Sequence, residues 1–160
     1  MLSIEAQKLS ELLVANGLTI SVAESCTGGS LSRALTSIPG ASSYFDCGYI
    51  TYSNQSKVEM LGVDIQTIKT YGAVSEEVAA EMARGALAYS NAQLAVSVTG
   101  IAGPGGSDFK PEGRVCFGLA TPTNAGTQTV EFGALGRANV RHAARDHALE
   151  MILSALSKTA

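Results

Sequence analysis

The chain has 160 residues, 46% of them hydrophobic, with a formal net charge of −3, which suits one packed domain and is too short for two ordinary ones. An acidic balance with no Lys/Arg-rich block argues against nucleic-acid binding. The start shows no signal-peptide pattern and no run reaches the ~18 apolar residues of a membrane span, so a cytoplasmic protein without membrane contact is expected.

The elements alternate along the chain. Leu9, Leu12 and Leu13 lie at helical spacing within residues 3–16, and Asn16-Gly17 is the stop. Residues 18–23 form an apolar strand candidate, and a helix is expected over about 27–37, before Pro39-Gly40. Residues 47–52 read as a second strand. Ser53 or Asn54 caps a short helix ending near Gly62, and Asp64 caps another through about Thr70. Ser75-Glu76-Glu77 opens a longer helix, with two acids in its first turn and Val78, Met82, Ala86 and Tyr89 on one face. Residues 93–99 are a strand, followed by a Gly/Pro-rich loop to about Gly113. Strands at 114–121 and 128–132 are joined by a hairpin over 122–126, and a last helix covers about 137–156. This order predicts a single α/β domain over residues 1–160: a three-layer α/β/α sandwich with a mixed sheet.

Two segments carry chemistry. Ala23-Glu24-Ser25-Cys26-Thr27-Gly28-Gly29 makes a small, Gly-rich turn from a strand to a helix. A hydroxyl or thiol there lies near unpaired backbone N–H groups, where an acyl-transfer nucleophile and its oxyanion are both served. Thr51-Tyr52-Ser53-Asn54-Gln55-Ser56-Lys57 supplies a tyrosine and a lysine. The two histidines, His142 and His147, both fall in the last helix, five residues apart and so on different faces. There is no GxSxG elbow. A Ser25 nucleophile would therefore take its base from Lys57, which requires the lysine pKa to drop from about 10.4 towards neutrality. Taken singly, Ser25 also reads as a helix cap, Lys57 as a surface lysine and Tyr52 as a strand end. Cys26 competes with Ser25, because a helix N-terminus favours a thiolate. Cys26, Cys47 and Cys116 are scattered, fitting neither a disulfide framework nor a zinc site, so no metal or cofactor is expected.

Together with Gly72-Ala73-Val74-Ser75 and the segment from Thr99 to Pro104, these two motifs resemble the CinA C-terminal domain family over about residues 5–157. That family includes stand-alone nicotinamide mononucleotide deamidases. The resemblance implies Ser25 as nucleophile, Lys57 as base and Tyr52 close to both. It implies nicotinamide mononucleotide as the substrate, hydrolysed to nicotinate mononucleotide and ammonia. A homodimer or larger assembly would suit the family. Substrate contacts are expected from Glu24, Cys26, Thr27, Gly28, Gly29, Asn54, Thr99 and Gly100. Arg137 and Arg141, cations near a helix start, are candidates for the 5′-phosphate, with Arg141 ahead. A non-catalytic partner-binding module, tied to competence or DNA damage, is the alternative function.

Overall fold

The computed structural model describes residues 2–158. Six helices and five strands alternate as the sequence suggests. In chain order they are α1 (Ile4–Ala15), β1 (Ile20–Glu24), α2 (Ser30–Thr36), β2 (Phe45–Ile50), α3 (Asn54–Leu61), α4 (Ile65–Tyr71), α5 (Glu76–Ala88), β3 (Leu94–Gly100), β4 (Arg114–Ala120), β5 (Ala125–Glu131) and α6 (Arg137–Lys158). The strands form one mixed sheet in the order β2-β1-β3-β4-β5. β1 runs parallel to β2 and β3, and β4 is antiparallel to both β3 and β5.

Strand alternation sorts the core into two layers. Ile20 and Val22 of β1, Val96 and Val98 of β3, and Val115 and Phe117 of β4 face one way. There they meet α1, α2 and α6 through Leu9, Leu13, Leu31, Leu35, Ala148 and Ile152. Ala23 of β1 and Ala95 of β3 face the other layer, against Leu61 of α3, Ile68 of α4, and Val78, Met82 and Ala86 of α5. Small residues on this second face let α5 lie close: the Ser97 hydroxyl donates to the Ala79 carbonyl at 2.5 Å.

Ser53, Asp64 and Ser75 cap helices where the sequence places them, and Ser3 is a further cap. Ser3, Ser53, Asp64 and Ser75 each accept a backbone N–H in the first turn of α1, α3, α4 and α5. Several boundaries differ, β2 among them, which runs Phe45–Ile50 rather than 47–52. α2 begins at Ser30 rather than near Thr27, because the intervening turn is tied to groups outside the helix. β5 begins at Ala125 rather than Gln128, so the hairpin loop closes earlier, with the Thr121 N–H donating to the Asn124 carbonyl at 2.8 Å. A short 3₁₀ turn at Ala41–Ser43 precedes β2. Among the described residues, no helix is long and apolar enough to cross a membrane.

The contact of α3 on α5 depends on Gly85. A Cβ there would sit 2.0 Å from the Leu61 carbonyl oxygen, and backbone cannot rotate away. Gly85→Ala must push α3 outward, at a cost of roughly 1–3 kcal/mol for overpacking. Since α3 carries Lys57, the variant should lose both thermal stability and activity. A melting temperature equal to the parent's would show that the two helices are not locked at this point.

Candidate active site

The strand ends bring the two chemical segments together. β1 ends at Glu24, and Ser25 follows at the carboxyl edge of the sheet, its N–H donating to the Val98 carbonyl at 2.9 Å. The neighbouring strand β2 ends at Ile50, and the Thr51 N–H donates to the Glu24 carbonyl at 2.8 Å. The chain then turns into α3, which returns Lys57 over the end of β1. Crevices at the carboxyl ends of strands are where open α/β sheets collect ligands.

Lys57 is 1% exposed and Ser25 is 8% exposed, so this pair is built into the protein rather than lying on its surface. Lys57 Nζ lies 3.0 Å from Ser25 Oγ and donates to the Thr51 carbonyl at 2.7 Å. Burial lowers the Lys57 pKa to about 8. A neutral amine in this position spends one N–H on Thr51 O and directs its lone pair to the serine proton. The Cys26 thiol is pushed up to about 12, chiefly by burial and further by the Glu24 charge. A thiol so poorly ionised is a weak nucleophile.

Ser25 and Lys57 open onto a pocket of about 200 Å³, also lined by Cys26, Tyr52, Asn54, Thr99, Gly100 and Arg137. Ala73, Val74 and Ala102 complete its wall. No histidine or carboxylate lines it. His147 is packed on Phe117, with ring centroids 4.5 Å apart, and its Nε2 pairs with Gln128 Oε1 at 2.8 Å. A roomier cavity of about 470 Å³ lies at the opposite end of the sheet, beside the β4–β5 hairpin. Among the described residues, its lining has no ionisable side chain.

The other residues singled out in the sequence take varied places. Tyr52 is half exposed at the pocket, and its hydroxyl accepts a hydrogen bond from Arg137 Nη2. Arg137 Nη1 donates to the Gly103 carbonyl at 2.8 Å. The Thr99 hydroxyl donates to the Ala73 carbonyl at 2.9 Å, pinning the pocket wall. Gly100 packs closely, since a Cβ there would fall 2.7 Å from the Val115 side chain and 3.1 Å from Cys26 Sγ. Glu24, Thr27, Gly28 and Gly29 belong to the turn rather than the pocket lining. The turn requires its glycines: φ is +57° at Gly28 and +102° at Gly29.

Arg141 departs from the sequence expectation. It is absent from the pocket lining, and its guanidinium donates to the Cys26 carbonyl at 3.0 Å and the Thr27 carbonyl at 3.4 Å. One turn earlier on α6, Arg137 is the arginine that lines the pocket. Sequence reasoning also passed over Lys110. Its ammonium donates to the carbonyls of Tyr71 and Val74, strapping the loop after β3 to the wall of the site. A lone lysine inside a Gly/Pro-rich loop was the available signal. Among the described residues, no group of three or more His, Cys, Asp or Glu side chains is arranged to hold a metal ion.

The geometry has close relatives. Residues 3–156 match the CinA C-terminal domain. The chain belongs to that family. A CinA-like protein of Chlorobium limicola is 51% identical over 84% of this chain, which corresponds to 32% of that protein. A putative competence-damage inducible protein of Caldicellulosiruptor saccharolyticus is 48% identical, with 34% of its length covered. The chain thus spans about a third of these longer relatives. The nicotinamide-nucleotide amidohydrolase PncC of Escherichia coli is closer in extent, 44% identical over 92% of this chain and 90% of its own. Among solved structures, the competence/damage inducible protein CihA of Agrobacterium tumefaciens superposes with a TM-score of 0.89 at 43% identity, covering 98% of both chains. A CinA superfamily protein from Escherichia coli superposes at 0.92 and 34% identity, covering 96% of this chain and 89% of the other. The architecture expected from the sequence, a three-layer α/β/α domain with a mixed sheet, is the family's fold, and the sheet has five strands among the described residues.

Proposed function

We propose that this protein hydrolyses the carboxamide of nicotinamide mononucleotide, giving nicotinate mononucleotide and ammonia, with Ser25 as nucleophile and Lys57 as its base. The observation that carries the reading is the buried contact of Lys57 Nζ with Ser25 Oγ at 3.0 Å. A surface lysine would not be buried on a serine hydroxyl without a cation's usual partners, since desolvating it costs stability. A partner-binding module has no use for such a pair. The substrate is carried over from the similarity to the Escherichia coli amidohydrolase.

The steps follow from the residues. Neutral Lys57 takes the Ser25 proton as Oγ attacks the amide carbon. The oxyanion is held by backbone donors. In the turn, the N–H groups of Cys26 and Thr27 donate to no oxygen among the described residues, whereas those of Ser25, Gly28 and Gly29 are taken. Of these two residues only Cys26 lines the pocket, so its N–H is the proposed oxyanion donor. The Lys57 ammonium returns its proton to the departing nitrogen, and ammonia leaves. Water, deprotonated by Lys57, then cleaves the Ser25 ester and regenerates both side chains.

Tyr52 touches Arg137 rather than Lys57, so its proposed part is to orient that arginine at the mouth of the pocket. Arg137 replaces Arg141 as the proposed phosphate partner, because it lines the pocket and is exposed there. Arg137→Ala should raise KM for nicotinamide mononucleotide more than it lowers kcat, since phosphate binding is remote from the reacting carbon. An unchanged KM would remove Arg137 from that role. The substrate assignment is tested by a panel of carboxamides. Ammonia should be released from nicotinamide mononucleotide in preference to nicotinamide, and a preference for a carboxamide lacking the phosphate would contradict it.

A further inference from the structure

The turn carrying Ser25 is held from two sides by charged groups that lie outside the pocket. On one side is Glu24, whose side chain is fully buried. One carboxylate oxygen accepts the N–H groups of Gly29 at 3.2 Å and Leu31 at 3.0 Å. The other accepts the Ser32 N–H at 2.9 Å and the Ser32 hydroxyl at 2.6 Å. No cation is bonded to this carboxylate among the described residues; backbone donors at the start of α2 stabilise it instead. On the other side is Arg141 of α6, which binds the Cys26 and Thr27 carbonyls. Gly28 makes room for that guanidinium, since a Cβ there would sit 2.8 Å from Arg141 Nη2.

The backbone can be followed atom by atom. The Ser25 N–H is bound to Val98 O, and the Ser25 carbonyl accepts from Gly28. The Thr27 carbonyl accepts from Ser30 as well as from Arg141. Glu24 takes the next three donors not used within the turn, those of Gly29, Leu31 and Ser32. Among the described residues, the N–H groups of Cys26 and Thr27 donate to no oxygen. A turn that needs two positive-φ glycines has little intrinsic preference for its shape, so its geometry comes from these outside contacts.

We propose that Glu24 and Arg141 are positioning residues for the nucleophile: gripping the same turn through its N–H groups and its carbonyls respectively, they hold the Ser25 hydroxyl on Lys57 and leave the Cys26 N–H available to the pocket. This rests on the Ser–Lys reading above but not on the identity of the substrate. Glu24 acts through the turn, because its carboxylate bonds Gly29, Leu31 and Ser32 and makes no hydrogen bond to Lys57 among the described residues.

Glu24→Gln is the sharpest probe. Its side chain keeps the same shape, yet its amide NH₂ must face either the Ser32 N–H or the pair from Gly29 and Leu31, so at least one hydrogen bond becomes a donor–donor contact. Two rates are measured well below the unfolding temperature: labelling of Ser25 by a fluorophosphonate, located by mass spectrometry, and steady-state deamidation of nicotinamide mononucleotide. The variant should lose about 10- to 100-fold in both labelling rate and kcat. Its KM should stay within about twofold and its acid-side pKa should not move. Ser32→Ala, which removes only the hydroxyl bond to Glu24, should lose less. Arg141→Met should resemble Glu24→Gln and decides the matter if that variant does not fold. A folded variant whose Ser25 labels at the parent rate overturns the proposal, as does a loss seen only in KM. If the parent labels at Ser25 but releases no ammonia from nicotinamide mononucleotide, the substrate reading fails while the positioning result stands. If Ser25 of the parent does not label, the dyad and the positioning role fall together.

Discussion

Ser25→Ala should abolish deamidation, with kcat falling on the order of 10³-fold or more, as for other covalent nucleophiles. The change removes one oxygen from a side chain that is 8% exposed and leaves the turn's backbone contacts in place. Lys57 keeps its bond to the Thr51 carbonyl, so the folded protein should melt close to the parent. Cys26→Ala is the matched control. Both residues line the pocket, but the Cys26 thiol, held at about 12, is almost wholly protonated at working pH. Cys26→Ala should retain most of the activity. An inactive Cys26→Ala beside an active Ser25→Ala would replace the serine mechanism with a cysteine one.

Lys57 carries the second large effect. Lys57→Arg keeps the charge, but a guanidinium stays protonated and cannot act as a base. It should therefore be about as damaging as Lys57→Ala, a loss on the order of 10²–10⁴-fold in kcat. Lys57→Met separates chemistry from folding. It fills the space with an apolar chain and removes the desolvation cost of a buried amine, so it should be inactive yet at least as stable as the parent. The pH dependence follows from the pKa of about 8. The base form is neutral, so kcat/KM should fall as pH drops below about 8, tenfold per pH unit. At pH 7 only about a tenth of molecules would hold the neutral amine. An acid limb centred well below pH 7, or full activity in Lys57→Arg, would mean that another group accepts the proton.

Much of this site was legible in the sequence because its chemistry is concentrated in short segments. Scarce histidine pointed to lysine, and the Gly-rich turn after an apolar run pointed to a nucleophile at a strand end. The alternation of elements gave the layers, and hydroxyl and carboxylate caps marked three helix starts. What could not be read depends on contacts between distant segments. Arg141 looked like a phosphate ligand because its own helix start gives it no local anion. Its partners are carbonyls 114 and 115 residues earlier in the chain. The late start of α2 has the same origin: Glu24 takes the N–H groups at Gly29, Leu31 and Ser32, so the helix is capped from the strand end instead of by a local Ser or Thr. The early start of β5 reflects pairing of Ala125 and Gly126 with β4, which overrides the poor strand propensity of a glycine.

The most direct test is to incubate the purified protein and its Ser25→Ala variant with nicotinamide mononucleotide and quantify ammonia and nicotinate mononucleotide together. The account predicts equimolar ammonia and nicotinate mononucleotide from the parent and neither product above background from the variant. No ammonia from a folded parent, or equal release by Ser25→Ala, would contradict it.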